Sequence, residues 1–147
     1  MKVLTLTEPW ATLMMLGEKN IETRSWRTHH RGLLAIHAAK TMPNYAREFC
    51  AHPEVVAAFL RQEKQPRCRP GMILCVRDLI ACVPTTEIRC LPTREQYFGD
   101  YSPGRWAWIF SSAIQIISPP VQTKGALRLW EWKVEGASGF WDWGQYH

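Results

Sequence analysis

The chain has 147 residues, enough for one domain with an ordinary hydrophobic core and too few for two stable domains. Hydrophobic residues make up 46% and charged residues 21%, which is the balance of a globular protein. No apolar run approaches the roughly 20 residues of a membrane span. The sequence therefore predicts a single domain over residues 1–147 with no membrane contact.

The cysteines and the first residues bear on the cellular compartment. Five cysteines make an odd number, and no two of them form a C-x-x-C pair, so reduced thiols explain them better than a disulfide frame. The first residues show no apolar segment followed by a small-residue cleavage site. We therefore expect a cytoplasmic protein. Potential metal ligands are scattered rather than clustered, so we predict no bound metal and no cofactor.

The positive charge of the chain is concentrated in one segment. The whole chain has 18 basic and 13 acidic side chains, an excess of five. Between Lys19 and Arg47, six basic side chains stand against one acid, which is the same excess, so the remainder is neutral. A local basic patch favours a polyanionic partner, nucleic acid first. The alternative is a solvated face without a partner.

The first part of the chain predicts two strands around a short helix. Residues 2–7 alternate as a strand. Glu8-Pro9 opens a helix, because Pro suits the first turn and Glu favours the positive end of the helix dipole. Gly17 is the expected left-handed stop, and a second strand follows over 21–26.

In this second strand, Glu22, Arg24 and Trp26 occupy every second position. Residues two apart in a strand share a face. A carboxylate, a guanidinium and an indole make an unusual face for a sheet that also needs a core. We interpret this face as the floor of a polar pocket.

The rest of the chain predicts short helices between further strands. In order, the elements are a strand over 33–38, a helical segment over 42–63 broken at His52-Pro53, a long strand over 71–83, a helix over 93–98, a loop over 99–105, a strand over 105–117 ended by Pro119-Pro120, and a strand over 127–134. Regular βαβ alternation is missing. The pattern therefore favours an α+β fold, a small mixed β-barrel of five to six strands with short flanking helices, over a doubly wound sheet.

Eight tryptophans fall into two groups. Trp10 and Trp26 lie near the basic segment, and the others occupy the last third of the chain: Trp106, Trp108, Trp130, Trp132, Trp141 and Trp143. Most large aromatic residues pack in a core or at its rim. One or two that lie beside basic residues could stack on an unpaired base.

Several motifs together resemble a known family. The stretch TLTEPWATLMMLGEKNIETRSWRTHHRGLLAIHAAK, followed by FGDYSPGRWAW and a late KG-x-x-x-L-W, resembles the ASCH domain, the activating-signal-cointegrator homology family of the PUA-like superfamily. The resemblance covers nearly the whole chain. Its core signature, G-x-K-x-x-E-x-R, corresponds to Gly17, Lys19, Glu22 and Arg24. The resemblance implies a PUA-like β-barrel with flanking helices and a cleft beside the signature strand, suited to RNA or nucleotide-like ligands.

Members of the family similar to this chain include nucleic-acid-binding domains of transcription coactivators, a bacterial branch with ribonuclease activity, and a branch that removes acyl groups from N4-acylated cytidine. The last uses a Lys and a Thr within its signature and a downstream Glu. Here Lys19 matches the lysine, but Glu22 stands at the threonine position, and Thr23 would face the other side of the strand. This departure argues against amidohydrolysis.

Binding of RNA, or of DNA, requires cations for phosphates and flat side chains for bases. The cationic candidates are Lys19, Arg24, Arg27, Arg31, Lys40 and Arg105, and the aromatic candidates are Trp10, Trp26, Tyr101 and Trp106. Glu22 could accept hydrogen bonds from the amino or imino edge of a base. Alternatively, Glu22 forms an ion pair with Arg24 or Lys19 that holds the end of the strand.

Cleavage of single-stranded RNA without a metal requires a proton acceptor for the 2′-hydroxyl, a proton donor for the leaving oxygen and cations on the phosphate. Lys19 or Lys40 could be the base if neighbouring cations lower its pKa. His37 could be acid or base, or else a core histidine bonded to the backbone. Tyr101 and Ser102 could bind or protonate an oxygen.

We therefore expect one cleft lined by Lys19, Glu22, Arg24, Trp26, Lys40, Tyr101 and Arg105. Three function classes stay open: a ribonuclease, a non-catalytic reader of RNA or of a modified nucleotide, and an interaction module. The module would recruit a transcription or translation partner through the tryptophan-rich last third. An exposed aromatic patch away from the basic cleft would identify it.

Overall fold

In the computed structural model, which describes residues 1–62 and 66–133, the chain forms six strands and four short α-helices. The strands are β1 (Lys2–Leu6), β2 (Ile21–Arg24), β3 (Gly32–Ala38), β4 (Met72–Pro84), β5 (Trp106–Gln122) and β6 (Leu129–Glu131). The helices are α1 (Trp10–Met15), α2 (Asn44–Phe49), α3 (Pro53–Leu60) and α4 (Thr93–Phe98), with a 3-10 turn at Thr85–Glu87.

All six strands belong to one mixed sheet, in the order β2-β5-β4-β3-β1-β6. Only the pairing of β1 with β3 is parallel, and the other pairs of neighbours are antiparallel. The sheet curls into a half-barrel. This architecture confirms the predicted α+β class and the small PUA-like barrel of five to six strands with flanking helices.

The two faces of the sheet bury two separate clusters, as period-two alternation requires. On the inner face, Leu4, Ile36 and Trp108 pack against Met14 of α1 and are fully buried. On the other face, Val3 and neighbouring residues form a smaller cluster. Burial of each large apolar side chain contributes about 1.5–3 kcal/mol, so the inner cluster holds α1 against the sheet.

A buried arginine connects α1 to the sheet. Arg77 on β4 has no exposed surface. Its Nη1 donates to the carbonyls of Met14 (2.8 Å) and Lys19 (3.0 Å), and its Nη2 donates to Asn20 Oδ1 (2.6 Å) and the Ser111 carbonyl (2.7 Å). These bonds fix the turn between α1 and β2, and thereby the position of the signature strand.

Most predicted boundaries agree with the structure, with one clear exception. Gly17 adopts a left-handed φ of +77° after α1, and the predicted break at His52-Pro53 separates α2 from α3. The prediction that Pro119-Pro120 ends its strand is wrong, because β5 continues to Gln122. Between Ile116 and Val121 the register with β4 shifts, so the prolines lie in a bulge that needs no N–H from them.

No helix in the two described ranges is both long enough and apolar enough to cross a bilayer.

Candidate functional site

A pocket of about 560 Å³ opens beside β2. We call it the first pocket. Strand β2, the residues just after it, the end of β1, and the helices α1, α2 and α4 contribute to its walls. Its polar and aromatic lining includes Trp10, Glu22, Arg24, Trp26, Tyr45 and Arg105.

Glu22 lies at the floor of the first pocket and is 7% exposed. Its Oε1 accepts a hydrogen bond from the backbone N–H of Thr23 (3.1 Å) and lies 3.5 Å from Nζ of Lys19. Its Oε2 accepts from Nε of Arg24 (3.2 Å). A carboxylate oxygen has two lone-pair sites, and Oε2 uses one of them within the described part of the chain.

Arg24 lies beside Glu22 on the same face of β2. Its Nη2 donates to the carbonyl of Thr5 on β1 (2.8 Å), which ties the edge strand β2 to the end of β1 across the half-barrel. Its Nη1 has no hydrogen-bond partner within residues 1–62 and 66–133. An acceptor and a donor therefore lie side by side on the pocket floor.

Lys19 lies beneath this floor and has no exposed surface. Its ammonium donates to the carbonyls of Ile21 and Phe98, the second at 3.1 Å. Lys19 therefore supports Glu22 from below and joins β2 to the end of α4. It does not reach the open part of the pocket.

Two tryptophans form walls of the first pocket, and each already contacts other side chains. Trp10 stacks on Phe49 of α2, with ring centroids 4.9 Å apart. Trp26 contacts Trp108 edge to face at 4.7 Å, and the guanidinium of Arg128 lies 4.2 Å from the centre of a Trp26 ring. The rings are held by these contacts before any ligand enters.

Arg105 and the loop after α4 form the rim. Arg105 donates through Nε to the carbonyl of Asp100 (3.1 Å) and through Nη2 to the carbonyl of Thr23 (3.3 Å). The N–H of Asp100 donates to the hydroxyl of Thr23 (2.9 Å). Gly99 permits this approach, because a Cβ there would lie 3.1 Å from that hydroxyl and 3.0 Å from the Tyr101 ring.

Tyr101 and Ser102 follow in the same loop but are poorly placed for proton transfer. The Tyr101 hydroxyl is buried without a hydrogen-bond partner in the described part of the chain. Burial, and then the charges of Glu95 and Glu22, hold its pKa well above the ordinary value, so it is a weak proton donor. The Ser102 hydroxyl (2.7 Å) and backbone N–H (3.0 Å) both donate to the Asp100 carboxylate. These two hydrogen bonds lower the pKa of Asp100.

The structure places His37 and Lys40 in a different cavity, which we call the second pocket. It has a volume of about 730 Å³. His37 pairs in register with Thr5 of β1, whose side chain lines the second pocket, whereas the next residue, Leu6, lines the first. Adjacent residues of a strand point to opposite faces. The expectation that Lys40 shares a cleft with Glu22 and Arg24 was therefore wrong.

Both ring nitrogens of His37 are engaged, and its side chain is nearly fully buried. Nε2 lies 2.9 Å from the carbonyl of Thr123, which can only accept, so Nε2 carries a proton. Nδ1 lies 3.0 Å from the hydroxyl of Thr5, which itself accepts from the Trp130 indole N–H at 3.0 Å. The alternative of a core histidine bonded to backbone describes these contacts.

Three other predicted ligands lie outside both pockets. The guanidinium of Arg27 lies 5.3 Å from the centre of a ring of Trp106, which packs against the core. Arg31 donates to the carbonyls of Thr28 (3.1 Å) and His30 (2.8 Å) in its own turn. Both arginines remain exposed.

Sequence reasoning missed three residues of the first pocket and its surroundings. Tyr45 and Tyr97 line it from α2 and α4, with 62% and 49% of their surface exposed. The only sequence signal for them was a tyrosine on each of two predicted helices, and no local pattern predicts that these helices lie beside β2. Arg128 lies more than 100 positions from the tryptophan that it covers.

The tryptophans of the last third mostly pack inward where the structure describes them. Trp108 and Trp132 are buried, and Trp106 and Trp130 are partly buried. Trp141 and Trp143 lie outside the described residues. Among residues 66–133, these tryptophans form no exposed patch of the kind that an interaction module would need.

No three His, Cys, Asp or Glu side chains within the described ranges come together as metal ligands would.

Comparison with known proteins places these residues in a family. The sequence matches the ASCH domain over residues 4–120, which is most of the chain. The chain belongs to the ASCH domain family. Similar proteins are activating signal cointegrator 1 of Homo sapiens, 34% identical over 89 residues, and of Mus musculus, 46% identical over 41 residues. The matches cover 58% and 28% of this chain but only 15% and 7% of those relatives.

In this ASCH domain the signature residues form one connected unit. Gly17 ends α1, Lys19 is buried below the pocket floor, and Glu22 and Arg24 form the floor itself. The side chain of Glu22 joins the two cations, at 3.5 Å from Lys19 and 3.2 Å from Arg24. The spacing of the signature thus produces a chain of ion pairs that leads from the buried Lys19 through Glu22 to Arg24 in the pocket.

Proposed function

We propose that this ASCH domain binds single-stranded RNA by receiving one unstacked base in the first pocket. The observation that carries the proposal is an aromatic-walled pocket with the Glu22–Arg24 pair at its floor. A base offers a π-face to the indoles, and it offers N–H and carbonyl groups to a carboxylate and a guanidinium. The volume of about 560 Å³ falls in the range of roughly 300–1,000 Å³ for small-molecule sites.

The charges of the first pocket favour a base over a phosphate. The carboxylates of Glu22 and Asp100 balance the guanidiniums of Arg24 and Arg105. A phosphate on the floor would face the Glu22 carboxylate and be repelled by it. Arg27, which directly follows Trp26 and is exposed, is available for the backbone of the strand.

We propose binding without cleavage, in preference to a ribonuclease. Proton transfer requires groups within hydrogen-bond reach of the reacting atoms. The ammonium of Lys19 is buried on main-chain carbonyls, and His37 and Lys40 line the other pocket. The raised pKa of Tyr101 makes its hydroxyl a weak acid. These placements support a reader of RNA more than an enzyme.

The test is a fluorescence anisotropy titration with a short labelled single-stranded RNA and a DNA of the same sequence. We expect Trp26→Ala to lose at least about tenfold in affinity, since a base–aromatic stack contributes about 1–3 kcal/mol. Arg105→Gln should also weaken binding, whereas Arg89→Gln, an exposed arginine that lines neither pocket, should not. Wild-type affinity in Trp26→Ala would rule out the first pocket as the base site.

Cleavage is tested separately by incubating the same RNA with the protein in EDTA. We expect the RNA to stay intact. If the parent protein produces fragments and Lys40→Ala does not, the protein is a metal-independent ribonuclease rather than a non-catalytic reader. The candidate active site would then be the second pocket. A DNA that binds as tightly as the RNA would widen the ligand class to single strands in general.

The cysteines bear on the compartment. All five thiols are free, which supports our proposal that the protein works in the cytoplasm.

A further inference from the structure

The second pocket differs from the first in its charge. Among the residues that the structure describes, its lining contains Lys40 and Lys124 and no carboxylate. The described lining of the first pocket, in contrast, has two acidic and two basic side chains, Glu22 and Asp100 against Arg24 and Arg105. An anion is therefore attracted to the second pocket by these two ammonium groups. The pocket volume of about 730 Å³ leaves room for more than a single ion.

The base of the second pocket is rigidly built. His37 is held between Thr5 and the carbonyl of Thr123, so it fixes the segment over 123–127 that forms the opposite wall. Gly125 lies directly against this histidine, because a Cβ at that position would be 2.7 Å from Cε1 of the ring. The two lysines are thus carried by main chain that is tied to the sheet on both sides.

The two pockets share walls. Thr5 lines the second pocket, while Leu6 and Thr7 line the first, so the end of β1 separates them. On the other side, Leu127 lines the second pocket, and the next residue, Arg128, covers the Trp26 ring of the first at 4.2 Å. Arg128 holds this position with a left-handed φ of +58°, which is uncommon for a residue other than glycine.

From this arrangement we infer that the second pocket binds a phosphate group of a nucleotide that neighbours the base in the first pocket, with Lys40 and Lys124 as its cationic contacts. The inference rests on the proposed function, because it needs a base in the first pocket. The bound strand passes around the end of β1. Arg128 lies between the two pockets and contacts the strand where it crosses.

The test is a set of trinucleotides in which one phosphodiester at a time is replaced by a neutral methylphosphonate. We expect one replacement to weaken binding to the parent protein by about tenfold, as the loss of a charge-assisted contact does. In the double variant Lys40→Gln, Lys124→Gln, the same replacement should have almost no further effect. The matched control, Arg67→Gln with Arg89→Gln, removes two exposed charges outside both pockets and should keep the full tenfold effect.

An equal loss in the parent protein and in the lysine double variant would overturn the inference, while the base site would stand as long as Trp26→Ala still weakens binding. If the parent binds no RNA, the proposed function fails, and inorganic phosphate then tests the second pocket directly. Shifts of the Lys124 and Gly125 amide resonances in the parent, absent from the double variant, would support an anion site. Unchanged resonances would show that the second pocket does not bind phosphate.

Discussion

The ammonium of Lys19 lies 3.5 Å from the carboxylate of Glu22, yet only Glu22 reaches the first pocket. Lys19 is fully buried, and its other partners are the carbonyls of Ile21 and Phe98. The lysine of the ASCH signature therefore holds the Glu22 carboxylate and the end of α4 in place. It is a positioning residue in this arrangement.

This relationship predicts a difference between two lysines. Lys19→Met removes a buried cation and leaves carbonyl groups and part of Glu22 unpaired, so we expect a loss of about 3 kcal/mol in the free energy of unfolding. Lys40→Met removes an exposed side chain and should change that free energy by about 0.5 kcal/mol or less. Urea unfolding followed by circular dichroism measures both. Similar losses in the two variants would contradict the buried role of Lys19.

The face formed by Glu22, Arg24 and Trp26 could be predicted from the sequence, because the period of a strand decides which side chains point together. The sequence does not predict how deeply the side chains of this segment are buried. Whether Lys19 enters the pocket or turns inward depends on Phe98, 79 residues away, whose carbonyl accepts a hydrogen bond from the Lys19 ammonium. No local pattern reports such a contact.

The sequence also could not predict that His37 and Glu22 lie in different pockets. Both residues fall in the same basic segment, and a basic segment suggests one cleft. Which face His37 occupies depends on the register of β3 against β1, where His37 lies opposite Thr5. Parallel pairing across more than thirty residues leaves no turn from which that register can be read.

Arg128 provides a second test, of strain at the wall between the pockets. Arg128→Ala and Arg128→Gly both remove the guanidinium from Trp26, but only the alanine keeps a Cβ at φ +58°. Since a left-handed backbone costs roughly 1–2 kcal/mol for a residue with a Cβ, we expect the glycine variant to be about 1 kcal/mol more stable than the alanine variant. Thermal unfolding of the pair measures the difference. An alanine variant as stable as the glycine variant would show that residue 128 does not hold this conformation in solution.

Gly125 and His37 should be energetically coupled. Gly125→Ala places a methyl group 2.7 Å from Cε1 of His37, so the segment over 123–127 must move, at a cost of about 1–3 kcal/mol. In a His37→Ala background the ring is gone and the added methyl group should cost clearly less. A double-mutant cycle of unfolding free energies measures the coupling. Additive effects would mean that the segment does not pack on the histidine.

Glu95 makes a prediction about pH. Its carboxylate is buried, Oε2 accepts from the N–H of Asn20 (2.7 Å), and Oε1 has no partner in the described ranges. Burial raises the pKa of Glu95 above its ordinary value, although the charge of Lys19 opposes the shift. The folded protein therefore binds this proton more tightly than the unfolded chain does. Glu95 contributes stability below its unfolded pKa, and that contribution is lost as the pH rises through the raised value.

Glu95→Gln removes this titration, so its free energy of unfolding should fall less than that of the parent protein between pH 4.5 and neutrality. The measurement is urea unfolding at several pH values in that interval, with the difference between variant and parent plotted against pH. Glu87→Gln, at an exposed glutamate, is the control and should follow the parent curve.

The lowered pKa values of Asp100 and Glu131 act in the opposite sense, because their contributions are lost as the pH falls. Both carboxylates are present in the parent and in the variant, so their contributions cancel in the difference. A difference that does not change with pH would show that the pKa of Glu95 is the same in the folded and unfolded states, and would contradict the raised pKa.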